Sequence, residues 1–271
     1  MEESNTENSL ENKPKKDKND SQKQIAGAII VAGIIIAGAI LLKGNTTLPA
    51  NNAQNVTTIT LAPVGPQDRT IGNPQAKVTL VLYEDFQCPF CGKFFQESEQ
   101  NIRDTYVKDG KVEFVYRDFP FLGPESTQAA EAARCAEDQG KFWEYHDYLF
   151  SHQNGENQGN FVDSKLENFA KNLGLDSSSF NQCLSTGKYA QVVANSKNEA
   201  STAGVTGTPK GFLVTSKDIS VNTQNEIIKA LNVLPNDPQS PISFYTTKNI
   251  LSLNGALPWN MVKTIIDILL K

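Results

Sequence analysis

Residues 77–91 read KVTLVLYEDFQCPFC, and this stretch decides the fold. Residues 77–83 are largely β-branched and apolar, the pattern of a buried strand. The stretch ends on Cys88 and Cys91, two residues apart, with Pro89 directly after the first. Proline suits the first turn of a helix, where its missing N–H costs nothing. GKFFQESEQNIRDTYVKDG (92–110) then predicts a helix that stops near Gly110, and KVEFVY (111–116) predicts a second strand. Strand, helix and strand make a βαβ unit, with both cysteines at the helix start.

That placement carries chemistry. The free N–H groups and dipole of a helix N-terminus favour an anion, which lowers the pKa of Cys88. A thiolate is the nucleophile of disulfide exchange. Cys88 is therefore expected to be exposed and reactive. Cys91, one turn in, is expected to be shielded and able to attack a mixed disulfide formed at Cys88. Three alternatives compete. Zinc needs four ligands, and Cys135 and Cys183 do not form a second Cys-x-x-Cys pair. A purely structural bridge across two residues is rare. A redox-dead scaffold fits poorly with two sulfurs in place. No metal or other cofactor is expected.

Downstream, helices are predicted over 127–138, 142–150, 176–184 and 189–203, and from a capping box at Ser164–Glu167 to near Gly174. A strand follows at 211–215, just after Gly207-Thr208-Pro209. A helix over 224–233, breaks at Pro235, Pro238 and Pro241, a strand at 250–253 and a helix over 258–270 complete the chain. His146 lies in the aromatic stretch FWEYHDYLF (142–150) and reads as a packing residue.

Upstream, residues 25–42 (IAGAIIVAGIIIAGAILL) carry no charged or strongly polar side chain. At 1.5 Å per residue they reach roughly 27 Å, close to a hydrocarbon core, which predicts a transmembrane anchor. Five lysines precede the segment and only Lys43 follows closely. The asymmetry places the N-terminus in the cytoplasm and the rest outside. Residues 1–24 are nearly devoid of apolar side chains and are expected to be disordered, and 43–67 reads as a flexible linker. The net charge of −5 falls entirely on the part from Asp68 onward, which argues against a nucleic-acid partner.

Together these motifs resemble the DsbA-like thiol–disulfide oxidoreductases. The resemblance is carried by YEDFQ (83–87) before CPFC (88–91), by QGKFW (139–143) and by GVTGTP (204–209), and it covers roughly residues 68–271. It implies an α/β thioredoxin-like fold with an inserted α-helical domain, at about 122–203. It also implies that Pro209 has a cis peptide bond, lies beside the disulfide with Thr208, and helps a substrate backbone dock near Pro89 and Phe90. Three features depart from the family. Phe90 stands where the best-known oxidases have His. Leu82 stands where a buried acid is common, leaving Glu84 and Asp85 as candidate proton acceptors. Residues 217–248 look like an insertion between strands that relatives join by a short turn. Lys210 is a candidate cation for supporting the thiolate.

The implied activity is oxidation of cysteine pairs in exported proteins, with recycling by a quinone-linked membrane oxidase. An isomerase or reductase shares the same chemistry, and a membrane-tethered binding or chaperone module shares the fold. With Cys88 and Cys91 paired by motif, Cys135 and Cys183 are expected to form a structural disulfide outside the cytoplasm. Two separate buried thiols is the alternative, and Cα atoms more than about 7 Å apart would rule out the bridge.

Overall fold

The computed structural model describes residues 59–235 and 237–271. The expected disordered head (1–24), the membrane anchor (25–42) and linker residues 43–58 lie outside the described residues. Among the described residues, no helix is long and apolar enough to cross a membrane.

Two long strands anchor the domain. β2 (Val78–Glu84) and β3 (Val112–Asp118) run parallel, with Leu80 opposite Phe114. They are joined by helical turns that start at Pro89, as the βαβ pattern predicts. α1 (Pro89–Phe94) continues directly into wider π-type turns at Phe95–Glu99, a short α2 (Gln100–Ile102) and further π turns at Arg103–Val107. β4 (Lys210–Thr215) lies antiparallel on the other side of β2, and β6 (Ile250–Asn254) lies antiparallel beside β4. Two three-residue strands escape any pattern in the sequence. β1 (Arg69–Ile71) pairs with β3, and β5 (Ile242–Phe244) pairs with β6. The sheet order is β1-β3-β2-β4-β6-β5.

Five helices fill the stretch between β3 and β4: α3 (Pro124–Glu137), α4 (Phe142–Ser151), α5 (Asp163–Asn172), α6 (Ser177–Ser185) and α7 (Ala190–Thr202). One correction concerns the start of α5. No capping box forms, because the Val162 carbonyl accepts from the amides of Lys165 and Leu166 and takes the cap position, with Ser164 already inside the helix. Cys135 on α3 and Cys183 on α6 are bonded to each other, with Cα atoms 5.8 Å apart. The bridge ties two helices that are 48 residues apart in sequence.

The insertion between β4 and β6 is more than surface decoration. It holds α8 (Val221–Leu231), whose Ile227 is fully buried, and the edge strand β5. α8 packs against α9 (Trp259–Leu269). On α9, Val262, Ile265 and Ile266 recur at helical spacing and face the core.

The sheet separates two cores. Leu80, Leu82, Phe114, Tyr116, Leu213 and Leu253 meet the cysteine helix and the aromatic residues of α4 on one face. Val81, Tyr83, Val115 and Phe212 meet Ala200 and Ala203 on the other. Burying side chains of this size contributes about 1.5–3 kcal/mol each, so the sheet that carries the cysteines is held from both sides.

Candidate active site

Both sulfurs sit where β2 hands over to α1. Cys88 occupies the N-cap position in extended backbone geometry, Pro89 opens the helix, and the Gly92 amide donates to the Cys88 carbonyl at 3.1 Å. The peptide bond before Pro209 is cis. The Thr208 carbonyl lies 3.4 Å from Cys88 Sγ, within reach of the thiol hydrogen.

The two thiols are electrostatically unlike. A hydrogen bond from Cys91 is the largest influence on Cys88. Burial opposes it, while Thr208 and the backbone amides of Cys91 and Phe90 reinforce it, and the Cys88 pKa is lowered to about 6. Burial pushes Cys91 well above the ordinary range, and the neighbouring Cys88 and Glu84 push it in the same direction. The exposure expected for Cys88 needs correction, since only 4% of its surface is accessible, against 0% for Cys91. The Thr208–Pro209 turn lies against the sulfur. The exposed residues of the motif are Pro89 and Phe90, the latter at 62%.

The acid expected six residues before the first cysteine is Leu82, but Glu84 lies two residues further along β2. Side chains two apart on a strand share a face. Glu84 therefore points into the same core as Leu82, at the end nearer the sulfurs, and is fully buried. Burial raises its pKa to about 8. His146 works against that shift, while Glu99 and Cys88 add to it. Asp85 differs from its neighbour. Its carboxylate accepts from the amides of Gln87, Phe121 and Leu122 at 2.8, 2.9 and 3.1 Å, so it holds the turn together and is committed to backbone.

His146 does pack, as its sequence context predicts, with ring centroids 4.9 Å from Phe150 and 5.1 Å from Tyr116. It is also the hub of a buried polar cluster. Its Nε2 lies 3.8 Å from Glu84 and 3.9 Å from Glu99, and its Nδ1 lies 2.9 Å from Asp147. Burial alone would lower the pKa of His146, but Glu99, Asp147 and Glu84 outweigh it and raise the value to about 9. Arg103 bonds Asp147 at 2.7 Å and Glu99 at 3.3 Å. Two cations thus face three acids. Burial also raises Glu99, against the pull of His146 and Arg103; Arg103 bonds Glu99 and Asp147, and Glu84, raised to about 8, is the acid that favours its protonated form near neutral pH. Glu84, Glu99 and His146 also bring ligand-type atoms within 4.8 Å of one another. His146, raised to about 9, already stands between these two acids as a cation.

Lys210 lies on β4 immediately after Pro209. Its ammonium bonds Asn254 Oδ1 and lies 5.2 Å from the Phe212 ring centroid. Lys210 and Phe212 share the strand face opposite the cysteine helix, so pleat alternation turns the cation away from Cys88. It is not among the main influences on the Cys88 thiol.

Sequence reasoning missed the residues that fasten the cysteine turn to the helical insertion. Gln153 donates to the carbonyls of Phe86 at 2.7 Å and Cys88 at 3.1 Å. Gln87 donates to Ser126 Oγ at 2.8 Å and accepts from the Asn157 amide. Gly92 leaves room for this brace, since a Cβ there would lie 2.1 Å from Gln153 Oε1. Nothing local marks Gln153, which is 65 residues from Cys88.

This fold has counterparts among known proteins. The family model for thioredoxin matches residues 65–232. The chain belongs to the thioredoxin family. "Na(+)/H(+) antiporter NhaA 3" of Salinispora tropica is 35% identical over 156 residues, which is 56% of this chain and 22% of that protein. The chain thus spans about a fifth of the length of that curated relative. "Probable disulfide bond formation protein D" of Bacillus anthracis is 25% identical over 149 residues, 54% of this chain and 69% of that protein. The crystal structure of oxidised BdbD from Bacillus subtilis superposes with a TM-score of 0.60 at 18% identity, covering 79% of this chain and 98% of that one. α-DsbA1 of Wolbachia pipientis gives a TM-score of 0.60 at 24% identity, covering 78% and 94%. At these identities the two structures speak to the fold.

Proposed function

We propose that the chain is an extracytoplasmic thiol–disulfide oxidoreductase that oxidises cysteine pairs in exported proteins through Cys88 and Cys91. The observation that carries the reading is the contrast between the two thiols, one lowered to about 6 and the other raised by burial, beside a cis proline. In the oxidised enzyme, a substrate thiolate attacks Cys88 Sγ and breaks the Cys88–Cys91 bond. Cys91 leaves as a thiolate in a buried site. Glu84, protonated near pH 7, hands it a proton. A second substrate thiolate then attacks the substrate sulfur of the mixed disulfide. The substrate leaves with its own disulfide, and Cys88 departs as a stabilised thiolate. Two electrons pass to the enzyme. Stabilising the reduced form makes the disulfide the stronger oxidant, which favours the oxidising direction. Phe90 cannot supply the imidazolium of the best-known oxidases. Cys91, Thr208 and the helix-start amides take over that support.

In this reading residues 25–42 hold the domain at the outer face of the cell membrane as a single span, and a quinone-linked membrane oxidase regenerates the disulfide. The lysine asymmetry around that segment supports the orientation. Protease added to cells stripped of their wall or outer membrane should remove the domain, and protection would reverse the topology. The chemistry is tested by two substitutions. Cys88→Ser should lose all exchange and form no adduct. Cys91→Ser should keep a reactive thiol and accumulate mixed disulfides with exported proteins. Equal trapping by both variants would overturn the assignment of roles.

A further inference from the structure

Beyond the Thr208–Pro209 turn lies a groove of about 440 Å³. Thr208, Pro209 and Lys210 form one wall. Asn254 and two residues of the β4–β6 insertion, Pro238 and Ser243, line the rest. The insertion therefore borders the groove behind the Thr208–Pro209 turn.

Lys210 stands out in this groove by its lack of a counter-ion. The four buried or half-buried arginines each meet a carboxylate: Arg69 with Glu137, Arg103 with Asp147, Arg117 with Asp68 and Arg134 with Asp118. Lys210 is half-buried too, yet its ammonium meets a neutral amide oxygen and an aromatic face. Burial lowers its pKa to about 8, and among the described residues no acid offsets that effect. A carboxylate brought in from outside would restore a partner to a cation that has lost much of its water.

Geometry says where that carboxylate comes from. Thr208 O lies 3.4 Å from Cys88 Sγ, the atom a substrate cysteine joins. Lys210 is two residues on, past the cis-proline bend at the start of β4, and lines the same groove as Thr208. We infer that Lys210 and Asn254 form a specificity subsite for an acidic side chain within three residues of the substrate cysteine. The inference rests on the exchange activity proposed above and names the class of peptide it prefers.

The test uses the oxidised full chain and a set of dithiol peptides with Asp or Asn at each position from three before to three after the attacking cysteine. Oxidation rates are compared pairwise. At one position the Asp peptide should react about tenfold faster than its Asn twin, the scale of one charge-assisted hydrogen bond. Lys210→Met should bring that ratio close to one, and Lys210→Arg should retain it. Asn254→Asp supplies an internal carboxylate and should also abolish the preference with the lysine still present, which covers the case of a Met variant that does not fold. Free acetate added in excess should leave the ratio standing, because the subsite gains from an acid tethered to the reacting chain. Equal rates for Asp and Asn peptides with the unmodified protein, or a preference that survives in Lys210→Met, would overturn the inference while the activity stands. Failure to oxidise any peptide or a simple dithiol would instead bring down the activity, and the subsite with it.

Discussion

Changing the pH while comparing the two redox forms tests the heart of the site. In the dithiol form Cys88 titrates at about 6 in the folded protein and near the ordinary 9.0 when unfolded. A depressed acid contributes stability that is fully present above its unfolded value and is lost as pH falls through its folded value. With these two values the folded dithiol gains about 1.4 kcal/mol at pH 7 and roughly 3.7 kcal/mol at pH 9, and almost nothing at pH 5. In the disulfide form the cysteines do not titrate, and the Glu84–His146 cluster is present in both forms. The reduced-minus-oxidised difference therefore reports chiefly on Cys88, with a smaller part from the effect of its charge on Glu84. By the same arithmetic the couple is about 30 mV more oxidising at pH 7 than one with an ordinary thiol. The assay is denaturant unfolding of both forms between pH 5 and 8.5, below the range where Cys91 contributes, alongside ultraviolet titration of the thiolate. The difference should grow steadily with pH above 6. A flat difference, or a thiolate midpoint above about 8, would refute the picture of Cys88 as a stabilised thiolate.

Three further outcomes follow from the surrounding structure. Glu84→Gln should slow reduction of the disulfide by a dithiol about 100-fold at pH 7, as read by stopped-flow, because Cys91 then leaves without a proton donor. A rate within twofold of the parent would remove Glu84 from the mechanism. The oxidised protein should lose roughly 4–5 kcal/mol between pH 6.5 and 9, read from unfolding curves: Glu84 and His146 have values raised to about 8 and about 9, and raised groups contribute stability that fades as pH climbs through those values. His146→Gln should shrink that slope. Cys135→Ser should cost about 4 kcal/mol of stability, the chain-entropy value for a loop closed across 48 residues, and leave exchange activity in place. A loss under 1 kcal/mol in denaturant would count against a bridge.

The parts of the site that lie close together in sequence were legible there. The strand, CPFC and helix start sit within fifteen residues, and Thr208-Pro209 marks its own turn. The acid was harder to place. Leu82 occupies the usual position, and only the strand's two-residue period reveals that Glu84 serves the same face from the next rung. Its partners Glu99 and His146 come from a helix that passes through π turns and from the insertion, and no local pattern joins them. Asp85 and Glu84 look interchangeable in sequence, yet backbone amides claim one and aromatic packing encloses the other. Lys210 could be assigned a side only once β4 was paired with β2 and β6. Strands β1 and β5 have three residues each, too few for any alternation to show. The capping box at Ser164 failed because a backbone carbonyl at Val162 did the work expected of a hydroxyl.

Those two shortest strands have a consequence of their own. A sheet's outer strands carry unpaired N–H and C=O groups, and a long exposed edge is a template on which another extended chain can add itself. Here both borders of a six-stranded sheet are three-residue stubs, Arg69–Ile71 and Ile242–Phe244. A protein that meets unfolded clients, as this one is proposed to do, is constantly presented with loose strands looking for a neighbour. Stub edges give such strands too few bonds to settle.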